Sequence, residues 1–377
     1  MSGIEVRPVE TACDLETFIH MPRLVYRDDP HWIAPLDLER KETLRMDKNP
    51  YFEHAEAQLF LAFKAQSCVG RISAQIDRLY LERHRDRTGH FGFLEAVDDR
   101  DVFAALLTSA QSWLAQRGMR RVRGPFSFSI NEESGLLIDG FDTPPSIMMG
   151  HARPYYAERL SECGYTKAKD VIAYDYDMNT KVTQEQERIL QRARHSHDIT
   201  IRPLSKRHLD RDLGIIIAIF NDAWSHNWGF VPMTEAEIEH FGTMLRLLVR
   251  QEFIAIAEIR GEPAAIAVTL PNVNDWIADL DGRLMPLGWV KLLRRFLSPP
   301  QSARLPLMGV RRAYRGTLVG SLLTFMIIDT VRQYHLKRGL KKAELSWVLE
   351  DNTVMRRVIE AFGARAYKTY RIYERAL

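Results

Sequence analysis

The chain repeats itself, and the period is long. Val6-Arg7-Pro8-Val9 returns as Ile201-Arg202-Pro203-Leu204, 203 − 8 = 195 residues later. Trp32-Ile33-Ala34-Pro35-Leu36 is echoed by Trp228-Gly229-Phe230-Val231-Pro232-Met233, and Phe60-Leu61-Ala62-Phe63 by Phe253-Ile254-Ala255-Ile256. Arg117-Gly118-Met119-Arg120-Arg121 matches Arg338-Gly339-Leu340-Lys341-Lys342, Cys163-Gly164 matches Phe362-Gly363, and Tyr174 stands opposite Tyr373. The echoes keep one order along the chain. A period of about 200 residues is far too long for a solenoid, so the chain must fold as two copies of one domain. The first copy spans residues 1–180, a polar junction rich in Gln, Glu, Arg and His fills 181–198 and is expected to be partly helical, and the second copy spans 199–377.

At 377 residues, 46% hydrophobic and 27% charged, the chain has apolar residues enough for two cores. Fifty-two basic residues against 49 acidic ones leave a formal charge of +3, so the balance gives no reason to expect a nucleic-acid partner. Cys13, Cys68 and Cys163 are far apart and lack CxxC spacing, which predicts neither a disulfide framework nor a bound metal and fits a reducing compartment. Met1–Glu10 carries charges and no apolar core, so no secretory signal is expected. No run approaches the ~18 apolar residues of a membrane span. The expected location is the cytoplasm, with the inner membrane surface as the outer limit.

Each copy reads as a strand, helices, then strands and helices in alternation. In the second copy Ile199–Leu204 is a strand, Leu209–Trp224 a helix, and Phe253–Ile259 with Ala264–Leu270 a hairpin about Arg260-Gly261-Glu262-Pro263. Leu305–Val310 is a strand, Gly320–Leu336 a long helix stopped by Gly339, Ala343–Leu349 a strand, Thr353–Phe362 a helix and Tyr367–Tyr373 the last strand. The first copy follows with strands Glu5–Val9, Leu59–Ala65, Gly70–Asp77, His90–Glu95, Arg121–Phe128 and Ala168–Asp177, and helices Val102–Gln116 and Pro154–Cys163. Changes in the offset between echoes place an insertion near 271–303 in the second copy and another near 129–150 in the first.

The copies differ most where strand Leu305–Val310 runs through Arg311-Arg312-Ala313-Tyr314-Arg315-Gly316-Thr317-Leu318-Val319-Gly320-Ser321 into the long helix. Glycines at a strand-to-helix junction let backbone N–H groups converge, and the helix N-terminus adds partial positive charge. Three arginines around such a turn suit a pyrophosphate. The GxGxxG spacing of a dinucleotide fold is absent, and no Gly-Lys-Ser/Thr follows to make a Walker A loop.

Tyr314-Arg315-Gly316-x-x-x-Gly320, the helix after it, and Asn352-x-x-Met355 before Gly363 resemble the CoA-binding core of the GNAT acyltransferase superfamily. The order of elements in each copy agrees with that fold, an α/β (α+β) arrangement of a mixed, mostly antiparallel twisted sheet flanked by helices. The resemblance implies that acyl-CoA is held by Met308, Val310, Arg311, Arg312, Arg315, Gly316, Thr317, Val319, Gly320, Ser321 and Asn352. Two departures stand out. Leu318 occupies a place that is usually glycine, and Ile359 one that is often a tyrosine serving as general acid. At the end of the strand before Asn352, Glu350 and Asp351 are the candidate general bases; of Tyr367, Tyr370 and Tyr373 on the last strand one, with Tyr373 the candidate, is to supply the acid in place of the missing tyrosine, the others packing in the core.

The first copy lacks the loop. At an offset of 339 − 118 = 221, the counterparts of Arg315–Ser321 are Leu94-Glu95-Ala96-Val97-Asp98-Asp99-Arg100, whose acids would repel a pyrophosphate and instead suit a helix cap. One acyl-CoA site is therefore expected, in the second copy.

Three further segments bear on the acceptor. The insertion Ser129–Phe141 places Asn131, Glu132 and Glu133 at the end of a strand, either as amine or hydroxyl ligands or as a capped turn. Trp224-Ser225-His226-Asn227-Trp228 lies where GNAT enzymes generally admit the acceptor, which makes His226, Asn227 and Trp228 candidates, with a surface histidine as the plainer reading. From Trp289, the segment Leu284–Leu297 carries apolar residues on one face and Lys291, Arg294 and Arg295 on another; it fits an interfacial helix on an anionic membrane, a lid over an acyl chain, or a helix docked on the rest of the protein.

Asp29-Pro30-His31-Trp32-Ile33-Ala34-Pro35-Leu36, Asn49-Pro50-Tyr51-Phe52-Glu53-His54-Ala55-Glu56 and His90-Phe91-Gly92-Phe93-Leu94-Glu95 look like a bacterial tandem-GNAT family, and the chain is similar to the GNAT-type bacterial ceramide synthases. That resemblance implies a long-chain acyl-CoA donor and a sphingoid-base acceptor. A short-chain N-acetyltransferase of a small amine and a non-catalytic CoA or lipid sensor are the competing readings.

Overall fold

The computed structural model describes residues 3–181, 183, 184, 187, 188, 190, 191, 198–248 and 250–377. Most of the junction, including 192–197, where partial helix is expected, lies outside the described residues. Packing divides the chain into two compact units: Met1–Ile172 with Ile277–Val290 and Tyr367–Leu377, and Ala173–Trp276 with Lys291–Ala366.

In the first unit β1 (Ile4–Pro8), β2 (Ala55–Lys64), β3 (Ser67–Asp77), β4 (Thr88–Ala96) and β5 (Arg121–Gly124) lie side by side in that order. All the pairs are antiparallel except β4–β5, which is parallel. The short β6 (Leu136–Asp139) and β5 both pair antiparallel with the chain's last strand, Arg365–Ala376. Asp99 caps helix Arg100–Gln116 by accepting from the Asp101 N–H at 2.9 Å. That helix buries Val102, Phe103, Leu106, Leu107, Ala110 and Leu114, a three-four spacing that lays one face on the sheet. Gly70 allows the approach, since a Cβ there would stand 2.7 Å from Leu106 Cδ1.

The second unit repeats the plan. β8 (Ile199–Pro203), β9 (Ile254–Ile259), β10 (Glu262–Pro271) and β11 (Ser302–Val310) are antiparallel neighbours, and β11 runs parallel to β12 (Lys342–Leu349). The β9–β10 hairpin turns at Arg260 and Gly261, both at positive φ, as a two-residue loop requires. Alanines 255, 257, 264, 265 and 267 leave the sheet face low, and Leu323, Ile327 and Val331 of helix Leu318–Lys337 pack onto it.

Each sheet is legible as a mixed, mostly antiparallel one flanked by helices, as expected. The units do not follow the linear copies at their ends. β7 (Thr166–Asp177) enters the second unit from Ala173 onward, held by the Met178 N–H donating to the Lys341 carbonyl at 3.0 Å. The last strand goes to the first unit from Tyr367. Each copy ends in a strand, and each of these strands gives part of its length to the unit of the other copy. Helices Ala12–His20, Asp37–Leu44, Arg78–His84 and Glu235–Leu248 have no bounds in the sequence reading.

Candidate active site

Parallel pairing of β11 with β12 covers Ser302–Leu305 against Lys342–Leu345 and then stops. Pro306 follows at once, and proline has no N–H to continue a ladder. Beyond that point the strands part and line a cavity of about 640 Å³. Pro306, Met308, Gly309 and Val310 form one wall and Ser346, Trp347, Val348 and Leu349 another. The floor is helix Leu318–Lys337, through Gly320, Ser321, Thr324, Phe325, Ile328, Val331, Arg332 and His335, and the far side is helix Thr353–Ala361 through Val354, Met355, Val358 and Ile359. The lining belongs wholly to the second unit.

The loop between β11 and the helix opens on this cavity. Gly316 stands at φ +71 with open space around it. Thr317 caps the helix, its hydroxyl donating to the Tyr314 carbonyl at 2.7 Å and accepting from the Gly320 N–H at 3.0 Å. The N–H groups of Leu318 and Val319 precede any intrahelical acceptor and point with the helix dipole toward the loop. Leu318 replaces the usual glycine without filling the loop, since its side chain is turned outward and 77% exposed. Val319 next to it and Val354 at the start of helix Thr353–Ala361 are exposed as well.

The three arginines hold the loop in place through other partners. Arg311 donates to the Pro263 carbonyl at 2.7 Å, and Arg315 to the Ala223 carbonyl. Arg312 pairs with Asp222 through its backbone N–H (2.8 Å) and its Nε (3.0 Å). Burial raises the Asp222 carboxyl, but the bonds from Arg312 outweigh it and hold the pKa below the ordinary value. The second branch of Arg312 donates to His226 Nε2 at 2.6 Å. A guanidinium only donates, so His226 keeps a lone pair at Nε2 and carries its proton at Nδ1.

Of the residues expected to hold acyl-CoA, Met308, Val310, Arg315, Gly316, Gly320, Ser321 and Asn352 line the cavity. Asn352 also caps helix Thr353–Ala361 by accepting from the Met355 N–H at 3.2 Å. Arg311, Arg312, Thr317 and Val319 flank the turn without lining it. His226, Asn227 and Trp228 line the mouth, beneath Trp224, whose Nε1 donates to the Met308 carbonyl at 3.4 Å.

Among the candidate catalytic groups, Asp351 lines the cavity and Glu350 does not; the Glu350 carbonyl takes a bond from Arg356 at 3.0 Å. Tyr373 is not brought to the cavity. It leaves with the last strand, is buried opposite Gly124 in the first unit, and burial pushes its hydroxyl pKa up despite the opposing Arg371. Asn131 and Glu132 form a turn of the first unit, where both backbone N–H groups bond Ser129 at 3.1 Å, and they line no part of the cavity. Trp289 lies outside it too, half-exposed, with its Nε1 on the Pro286 carbonyl.

Sequence reasoning missed Tyr176 and Met178, which reach this cavity from the end of β7, and the inward row Thr324, Phe325, Ile328, Arg332 and His335. The row's helical spacing was readable; its facing a void was not.

The corresponding parting of β4 and β5 in the first unit is filled by its own chain. The Phe126 N–H bonds the Phe91 carbonyl at 2.8 Å, and Gln75 Nε2 bonds the Phe126 carbonyl at 2.8 Å. A Cβ on Gly92 would come within 1.6 Å of that Phe126 oxygen. The acids at the loop position are engaged: Asp99 caps its helix, Asp98 accepts from Arg159 at 2.8 Å, and Glu95 accepts from the hydroxyls of Tyr26 and Tyr156 at 2.8 and 2.7 Å.

Two solved structures resemble this one over 99% and 100% of its length. One is a tandem GNAT protein from the clavulanic acid biosynthesis pathway (TM-score 0.58, 12% identity, 99% of this chain and 98% of that one). Another is a GCN5-related N-acetyltransferase from Sphaerobacter thermophilus (TM-score 0.53, 11% identity, 100% and 96%). No family model matches the chain. It is 44% identical over 367 residues to Protein YghO of Escherichia coli (strain K12), covering 97% of this chain and 93% of the relative. It is also 44% identical over 378 residues to the bacterial ceramide synthase of Caulobacter vibrioides (strain NA1000 / CB15N), covering 100% of this chain and 98% of that protein. The chain is an acyltransferase of the family of these two relatives, and its fold is that of tandem GNAT proteins. The residues present fit a CoA pyrophosphate, with first-turn N–H groups and arginines at a Gly-rich turn.

Proposed function

We propose that this acyltransferase moves a long-chain acyl group from acyl-CoA onto the amine of a sphingoid base. The carrying observation is the extent of the cavity. Its lining follows the helix from Gly320 to His335, 335 − 320 = 15 residues or ~22 Å at the helical rise of about 1.5 Å per residue. The pantetheine arm takes the part of that length nearest the loop, and the wall beyond it, with Phe325, Ile328, Val331, Leu345 and Val358, suits a hydrocarbon longer than an acetyl group. The name of the 44% identical relative supports the same chemistry.

In this reading the pyrophosphate rests on the first-turn N–H groups and Arg315, and the pantetheine arm enters where β11 and β12 part. The neutral amine attacks the thioester carbon, forming the C–N bond, and the oxyanion is met by backbone N–H groups of β11 that no longer pair with β12. Asp351 takes the ammonium proton directly or through one water. The C–S bond then breaks, and the thiolate, with an ordinary thiol pKa of about 8.5, takes its proton from water at the mouth. Holding both chains in one slot supplies much of the rate.

Helix Gly288–Leu297 supports delivery from a membrane. Trp289, Leu293 and Leu297 follow one another at four-residue steps and are all exposed, with Met285 and Leu287 beside them. The helix is anchored through Arg295, which donates to the Trp276 carbonyl at 2.6 Å, and through Phe296, which packs edge-on against Trp276. Exposed apolar residues with Arg294 alongside fit an anionic lipid surface, so the protein would work in the cytoplasm on the inner membrane. Among the described residues no helix is long and apolar enough to cross a membrane.

A thermal-shift panel of CoA, acetyl-CoA and palmitoyl-CoA tests the reading. Palmitoyl-CoA should stabilise the protein most. Equal shifts with all three would leave a short-chain acetyltransferase, and no shift would remove the CoA site.

A further inference from the structure

The inner end of the cavity is polar, which a slot for a plain hydrocarbon does not require. The lining face of the long helix is apolar through Phe325, Ile328 and Val331 and then presents Arg332 and His335, which are 9% and 1% exposed. Both carry an atom that finds no hydrogen-bond partner among the described residues: Arg332 Nε and His335 Nδ1. Buried polar atoms are nearly always paired, so two together at the end of a void point to a ligand.

Their characters are fixed by their neighbours. Thr269 donates its single hydroxyl hydrogen to the Phe253 carbonyl at 2.6 Å, so its contact with His335 Nε2 at 2.9 Å must be accepted from an Nε2–H. That places the imidazole proton on Nε2 and leaves Nδ1 as an acceptor. Burial pushes the His335 pKa down to about 4, so the ring stays neutral and the lone pair stays available. Arg332 spends its Nη2 on the Thr180 carbonyl at 2.7 Å, which leaves Nε–H as a donor. One donor and one acceptor, three residues apart on one helix face, are neighbours in space.

We infer that Arg332 and His335 form a subsite for a hydroxyl group carried on an aliphatic chain. A hydroxyl donates to Nδ1 and accepts from Nε–H, satisfying both atoms, whereas a methyl end or a methylene run satisfies neither. This deepens the long-chain acyltransferase reading and rests on it for the chain itself. The hydroxyl could arrive on the donor's acyl tail or on the acceptor's chain, and the chemistry at the subsite is the same.

The test uses the full-length protein in two arms. In the first, ω-hydroxyacyl-CoAs of 10 to 16 carbons compete with unsubstituted acyl-CoAs of equal length. In the second, ω-hydroxyalkylamines compete with plain alkylamines. Labelled histidine reports the His335 Nδ1 resonance by nitrogen NMR. At one chain length in one arm, the hydroxylated chain should bind at least tenfold tighter than its plain partner and move the Nδ1 resonance. The arm that responds identifies which substrate carries the hydroxyl. His335→Phe and Arg332→Met should each erase that preference, and stabilisation by CoA alone verifies that each variant is folded. Tight binding of plain chains with no hydroxyl preference in either arm would overturn the subsite and leave the acyltransferase reading standing. Failure of every chain to bind would overturn both.

Discussion

Gly320 lies so close to Tyr314 that an added Cβ would stand 2.0 Å from the Tyr314 carbonyl oxygen. That oxygen also accepts the Thr317 hydroxyl, so the turn closes only if position 320 has no side chain. Gly320→Ala should therefore open the turn and weaken acyl-CoA binding at least tenfold by calorimetry, with little change in melting temperature. Gly214→Ala is the control: open space surrounds it in helix Leu209–Trp224, so the variant should be up to about 1 kcal/mol more stable and bind normally.

Asp212 ties the start of the second unit together. Its carboxylate is buried, with Arg202 at 2.8 and 3.0 Å, Arg211 at 2.9 Å and the Ser205 N–H at 2.8 Å. Burial raises its pKa, but Arg202 and the other donors outweigh this and leave it lowered. Removing one member of a buried pair costs roughly 3–5 kcal/mol, and Glu258 still holds Arg202, so Asp212→Ala should cost about 3 kcal/mol in urea titrations. A depressed carboxyl contributes stability above its unfolded pKa and loses it as pH falls through the folded one. The Asp212 share should therefore fade only below pH 3.8.

Two buried histidines give the opposite half of the acid profile. Burial lowers both His90 and His335 from 6.5 to about 4. The unfolded chain binds their protons near pH 6.5 and the folded chain only near 4, so stability is full above 6.5 and falls as pH drops toward 4. Each can contribute up to about 3 kcal/mol by linkage. His335→Phe should flatten the denaturant midpoint between pH 4.5 and 7; an unchanged slope would show that His335 binds its proton equally in the folded and unfolded chains.

Leu293→Glu puts a charge in the middle of the exposed face of helix Gly288–Leu297. It should weaken binding to anionic vesicles about tenfold, leave CoA-induced stabilisation intact, and reduce turnover only with vesicle-borne acceptor. Equal vesicle binding by both proteins would remove the membrane role from this helix.

Much of the fold was legible because duplication wrote it twice. The hairpin turn at Arg260-Gly261, the long helix stopped before Gly339 and the loop glycines follow local rules that do not depend on distant contacts. The loop's arginines were read by charge alone, and their engagement with Asp222, Ala223 and Pro263 is tertiary. The placement of Tyr373 failed for a related reason. Two copies ending in similar strands leave the sequence with no preference as to which sheet each strand joins. Arg332 and His335 were visible as polar residues on a buried face, but only packing shows that the face borders a void.

The most direct measurement is product formation. The purified protein is incubated with palmitoyl-CoA and sphinganine in anionic vesicles, free thiol is followed, and the lipid is examined by mass spectrometry. The account predicts one amide formed per thiol released, with acetyl-CoA a much poorer donor and Asp351→Asn slowed at least a hundredfold, the usual scale for a lost general base. Acetylation of small amines at a comparable rate, with no palmitoyl amide, would contradict it.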